Sequence, residues 1–190
     1  MRKEALLKRD GLDPLERIEL SLAARDYGAK ALHFDPGTAV SGFWPIRSEI
    51  DPRPLMSVFG KKGARLCLPV VMDRATIIFR ELTAESELVE TGFGTVGPGI
   101  DAEVLEPEII LVPLSAFDRQ GGRLGYGAGF YDRAIAKLHL KGIHPLLAGF
   151  AFACQEVEKV PMEDHDQRLA MIITDAGVVY VDKPVGKETK

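Results

Sequence analysis

The spacing of apolar and polar residues changes several times along the chain, and each change predicts an element. "IILVPLSAF" (109–117) is almost continuously apolar, as expected of a strand covered on both faces. "HPLLAGFAFA" (144–153) resembles it. "ARLCLPVV" (64–71) and "ATIIFREL" (75–82) also read as strands. "LAMIITDAGVVYV" (169–181) reads as a strand, an Asp-Ala-Gly turn and a second strand. "TAVSGFWPI" (38–46) is β-branched and aromatic, and predicts a strand that enters a loop at Pro45.

Helical spacing separates these runs. Asp13 followed by Pro14, with Glu16 three residues after the cap, starts a helix in which Ile18, Leu22 and Ala29 fall on one face. "RKEALLKRD" upstream forms a short basic turn or helix, and "PLMSVFGKKG" (54–63) a helix closed by glycine. A further helix starts near Phe130–Asp132. Buried strands alternating with helices indicate an α/β fold, a sheet with helices on both sides. Ligands of such sheets bind beyond the carboxyl ends of the strands. No internal repeat or linker divides the chain, so 1–190 is read as one domain, with a polar tail, 182–190, that frays.

Composition narrows the picture. With 46% hydrophobic and 27% charged residues, the 190-residue chain has the balance of a globular protein rather than a disordered one. A net charge of −4 argues against a nucleic-acid partner. No apolar run nears the roughly 20 residues of a membrane span. Cys67 and Cys154 lie in apolar runs without CxxC pairing and read as buried reduced thiols. The expected location is the cytoplasm.

The densest chemistry is "GGRLGYGAGFYDR" (121–133), where five glycines and two arginines join an apolar strand to a helix. Gly125, Gly127 and Gly129 alternate, which suits a strip of backbone N–H donors approaching an anion. The following helix N-terminus favours negative charge there, and Arg123 offers a bidentate guanidinium. Asp132 beside a polyphosphate implies a bridging cation; alternatively it only stabilises the first helical turn. The loop itself reads as a nucleotide-phosphate site or as a structural turn. It matches neither the P-loop nor the dinucleotide fingerprint.

"AFDRQGGRLGYGAGFYDR" closely resembles the signature of the 5-formyltetrahydrofolate cyclo-ligases, also called 5,10-methenyltetrahydrofolate synthetases. "SEIDPRPLM" (48–56), "FRELTAESELVETGFG" (79–94), "EPEIILVPLSAFD" (106–118) and "VPMEDHDQRLAMIITDAGV" (160–178) fall in that family's order and spacing. The resemblance implies a three-layer α/β/α fold with a Rossmann-like, mostly parallel sheet, usually monomeric. It also implies ATP-dependent ring closure of 5-formyltetrahydrofolate to 5,10-methenyltetrahydrofolate, releasing ADP and phosphate through an imidate phosphate. The partners are then small molecules, with Mg²⁺ as cofactor and ATP as co-substrate.

Position by position, the resemblance assigns Arg123, Leu124, Gly125, Tyr126, Gly127, Ala128, Gly129, Phe130 and Tyr131 to the ATP loop. Arg123 and Tyr131 are the catalytic candidates. Tyr126–Phe130 also border the folate. Asp132 and Asp166 match the magnesium carboxylates, ahead of Asp164 and His165. Glu49 matches the residue that recognises the pterin, a task suited to a carboxylate facing an amino group and a ring N–H. Trp44 and Phe93 fall against the folate or, alternatively, in the core. Arg2 aligns with the arginine of a lysine–arginine pair that reaches ATP; the lysine falls before Met1, so that either the start lies upstream, or Lys3 and Arg9 compensate, or ATP binding is weak. "GTVGPG" (94–99) departs from the family's usual proline-containing segment at the folate rim. Another reaction on the same fold, or a nucleotide-binding regulator without turnover, are the rival readings.

Overall fold

The computed structural model describes residues 1–92, 94–163 and 166–181. The chain begins with α1 (Arg2–Asp10), α2 (Pro14–Ala31), β1 (Ala39–Ser41), α3 (Arg53–Lys61), β2 (Arg65–Val71) and β3 (Ile77–Glu81). There follow β4 (Leu88–Gly92), β5 (Thr95–Pro98), β6 (Val104–Leu105), β7 (Ile109–Val112), β8 (Ala116–Phe117) and β9 (Arg123–Leu124). It continues through α4 (Phe130–Leu140), β10 (Leu146–Phe150), β11 (Met171–Thr174) and β12 (Gly177–Tyr180).

Eight strands form one sheet in the order β12-β11-β10-β7-β1-β2-β3-β6. The five from β11 to β2 are parallel; β12, β3 and β6 pair antiparallel at the two edges. Alternation along the central strand sorts the core into two layers. Ile109 and Leu111 pack with Ala24 of α2 and Leu55, Met56 and Phe59 of α3. Ile110 and Val112 pack with Ala134, Ile135 and Leu138 of α4 on the opposite face. The result is the expected α/β architecture, mostly parallel, with helices on both sides.

Several boundaries differ from expectation for physical reasons. The apolar run 109–117 is two strands, because Pro113 cannot donate to a ladder; β8 turns away to pair with β9. The strand foreseen over 38–46 pairs only at Ala39–Ser41. Helix α2 starts as predicted, with Asp13 accepting from Leu15 N–H at 2.8 Å, but its buried face is Ser21, Ala24 and Gly28. Ile18 and Leu22 point outward. Small residues win because α3 packs close: a Cβ on Gly28 would stand 2.7 Å from Leu55 Cδ2. The β4–β5 hairpin, unforeseen, packs on β2 beside the main sheet. Cys67 is buried as expected, whereas Cys154 is half-buried. Among the described residues no helix is long and apolar enough to cross a membrane. The tail 182–190 lies outside the described residues.

Candidate active site

A cleft of about 670 Å³ opens beyond the carboxyl ends of β1, β2 and β7, where Phe43, Trp44, Val71 and Pro113 form its floor. This is where an α/β sheet binds ligands, and the size suits small molecules. Into it project Arg2, Glu49, the whole stretch Arg123–Asp132, and Asp166. Lys3 is exposed on α1 and stands outside the lining. Phe93, Asp164 and His165 lie outside the described residues.

The glycine loop is held from behind. Asp118, buried, accepts from Gln120 and Gly122 N–H at 2.9 Å each and from Val160 N–H at 2.7 Å. Arg133, past the loop, donates to Ala128 O and Ala75 O at 2.7 Å each. Between these anchors, Gly127 and Gly129 take positive φ, +99° and +64°, a backbone region that L side chains seldom enter. Gly129 is the N-cap of α4 and offers no side-chain acceptor, so the first-turn N–H groups of that helix lack a capping side chain. Arg2 closes the loop's outer side: its Nη1 lies 3.5 Å from where a Cβ on Gly127 would stand.

Arg123 and Asp132 are paired to each other, Nη2 to Oδ1 at 2.5 Å, with side chains only 6% and 16% exposed. Asp132 Oδ1 also accepts from Gln167 N–H at 3.1 Å. That bond seats the segment carrying Asp166 beside α4; Asp166 Oδ2 accepts from Glu163 N–H. Two buried polar atoms in this corner have no hydrogen-bond partner among the described residues, Arg123 Nε and the Tyr131 hydroxyl. Buried donors are normally satisfied, so this pair marks polar capacity available to a ligand. Burial, and then the Glu49 charge, hold the Tyr131 hydroxyl far above its ordinary pKa, so it stays a donor at neutral pH.

On the opposite wall, Glu49 Oε2 accepts from Ile46 N–H at 2.8 Å. Burial raises its pKa against the pull of the Ile46 N–H, the Tyr126 hydroxyl, Arg9 and Arg47. Tyr126 is pushed up to about 12, by burial first and the Glu49 charge second. Trp44 lines the cleft and carries the Arg53 guanidinium 4.8 Å from its ring centroid, itself bidentate to Asp51. Thr95 and Val96 of the departing "GTVGPG" segment complete the rim on β5.

The donor set suits a hard divalent cation. Mg²⁺ takes one or two carboxylates and fills its remaining positions with water and phosphate oxygens. Asp132 and Asp166, which both line the cleft, are the residues that could supply such carboxylates. Among the described residues no group of three or more His, Cys, Asp or Glu forms a cage.

A profile of the 5-formyltetrahydrofolate cyclo-ligase family matches residues 1–175. The chain belongs to that family. The 5-formyltetrahydrofolate cyclo-ligase of Escherichia coli K12 is 33% identical over 145 residues, covering 73% of this chain and 79% of that one. That of Mycolicibacterium smegmatis is 33% identical over 146 residues, 73% and 74% of the two chains. The 5,10-methenyltetrahydrofolate synthetase of Aquifex aeolicus superposes with a TM-score of 0.79 at 30% identity, over 99% of this chain and 94% of that one. The Mycoplasma pneumoniae synthetase shares the fold, with a TM-score of 0.72 at 23% identity.

Sequence reasoning missed parts of this family member's site. Asp118 and Arg133 anchor the loop, a role the sequence assigned to neither, whereas Thr95 and Val96 belong to the 94–99 segment already expected at the rim. Arg9 is 1% exposed and donates to Tyr126 Oη at 2.8 Å and Ser48 Oγ at 3.0 Å. The resemblance offers Arg9 as a stand-in for the family's lysine at ATP; the structure instead buries it against Ser48 and Tyr126, outside the cleft lining, a placement that nothing in the spacing of "KRD" announces.

Proposed function

We propose that the protein closes 5-formyltetrahydrofolate to 5,10-methenyltetrahydrofolate at the expense of ATP, with Mg²⁺ held by Asp132 and Asp166. The observation that carries this reading is the convergence in one cleft of a glycine loop, Arg123 and two aspartates on one side with Glu49 and Trp44 on the other. Glu49 receives the amino and ring N–H groups of the pterin edge, and Trp44 lies against the folate. The loop N–H groups and the start of α4 take the phosphates, and Arg123 turns its guanidinium to them.

The formyl oxygen is a poor leaving group until it is phosphorylated. It attacks the γ-phosphorus of ATP; the bond to the bridging oxygen breaks and ADP departs. N10 then adds to the activated formyl carbon and gives up its proton, and the C–O bond breaks to release phosphate. Bound Mg²⁺ would neutralise charge on the phosphates. Positioning and charge neutralisation are what phosphoryl transfer chiefly needs, and Arg123 and the Tyr131 hydroxyl supply donors for the transferred group. We read the chain as one domain acting as a cytoplasmic monomer, a setting that suits its two unpaired cysteines.

The test is direct: purified protein, 5-formyltetrahydrofolate, ATP and Mg²⁺, following the near-ultraviolet absorbance of methenyltetrahydrofolate. The expected rise depends on both ATP and Mg²⁺. Asp132→Ala lowers the rate about a hundredfold, the scale of losing one charge-stabilising group, with an unchanged circular dichroism spectrum. A folded protein that binds ATP yet gives no rise returns the assignment to a non-catalytic regulator or another substrate.

A further inference from the structure

Resting on the proposed folate site, we propose that Arg9 is a positioning residue, holding the Tyr126 hydroxyl against Glu49 and thereby tying the first helix to the folate pocket. A guanidinium 1% exposed is tolerated only where its donors are taken up, since a buried charge without partners is strongly unfavourable. Arg9 meets that demand on two segments far apart in sequence. Its Nε donates to Ser48 Oγ, next to Glu49, and its Nη1 donates to Tyr126 Oη in the glycine loop. Its carbon Cζ lies 5.9 Å from the Tyr126 ring centroid. Ser48 Oγ in turn donates a hydrogen bond to Asp10 Oδ1, on the next residue of α1, so the β1–α3 connection is fastened to the helix twice.

The directions of these bonds matter. Because Arg9 occupies Tyr126 Oη as a donor, the tyrosine proton is free to turn toward Glu49, whose charge is felt at Tyr126. The Arg9–Tyr126 pair thus sets a cation and a hydroxyl behind the carboxylate proposed to meet the pterin. It keeps that carboxylate oriented inside an apolar wall. At its other end α1 presents Arg2 to Gly127. One helix therefore touches the loop at two adjacent residues, Tyr126 through Arg9 and Gly127 through Arg2, and in this proposal the Arg9 end serves the folate.

Steady-state kinetics on Arg9→Met, Arg9→Lys, Tyr126→Phe and the Arg9→Met/Tyr126→Phe double variant test this. Arg9→Met is expected to raise the folate KM about tenfold, the effect of one charge-assisted hydrogen bond, with the ATP KM changed far less. Arg9→Lys recovers part of the loss. The double variant is no worse than the more damaged single variant, because both break the same pair. A role confined to stability leaves the KM values alone and lowers only the amount of folded enzyme. Should Arg9→Met fail to fold, Tyr126→Phe and Ser48→Ala carry the same comparison. An equal rise in both KM values, or strictly additive effects in the double variant, overturns the inference. Wild-type protein without turnover overturns it together with the function on which it rests, and the two failures are thus distinguishable.

Discussion

Glu49 carries the sharpest conflict between stability and chemistry among the individual residues. Its pKa is raised chiefly by burial, from an ordinary value of 4.5. Folding therefore favours the protonated acid. The stabilisation is fully present below the ordinary value and is lost as the pH climbs through the raised one. Glu49→Gln is accordingly expected to raise the melting temperature at about pH 8 and to leave it unchanged at about pH 4, by differential scanning calorimetry. If Glu49 meets the pterin as proposed, the same substitution sets a donor opposite a donor edge, and it should weaken folate binding by about tenfold or more while ATP binding, measured by calorimetry, barely moves. On the same proposal, folate binding by the unaltered protein should fade on acidification before an ordinary carboxylate titrates, since only the anion would accept both N–H groups.

The elements show how the loop is built, and why only part of it was legible. Gly121 precedes β9 with φ +83°, and a Cβ there would stand 2.6 Å from Leu169 O, a backbone atom with little room to yield. Gly121→Ala should destabilise the protein by at least about 2 kcal/mol in urea titrations. Gly125→Ala, with nothing nearer than Arg123 Nη1 at 3.9 Å, should stay within about 0.5 kcal/mol. The contrast separates glycines the fold needs from those facing the ligand, a distinction the alternating sequence spacing does not contain. Continuous apolar runs announced β2, β7, β10 and β11, and Asp13-Pro14 announced α2, because burial and capping leave marks on neighbouring residues. The buried face of α2 escaped because serine, alanine and glycine form it; close approach to α3 matters there, and hydrophobic spacing is silent about distance. Hairpin β4–β5 escaped for the related reason that Leu88 and Val89 are exposed, leaving no core-facing alternation to read. Arg123 and Asp132 were legible as a pair, but not that they hold one another, which is a property of two elements meeting.

For the molecule as a whole, the cleft joins segments from residue 2 to residue 166, so ligands that fill it brace the entire fold. With ATP, Mg²⁺ and folate each near a hundred times its dissociation constant, one such ligand adds about 2.7 kcal/mol. For a chain of this length that raises the melting temperature by about 5–10 °C, readable by scanning fluorimetry. Folate stabilisation should largely vanish in Glu49→Gln, while that by ATP persists. The buried arginine of α1 bears on the order of events during synthesis. Its partners lie 39 and 117 residues further along the chain. Helix α1 is thus made well before the groups that seat it: its buried arginine lacks its Tyr126 partner until the glycine loop has been synthesised, and a nascent chain holding only the strands before that loop has only one wall of the cleft.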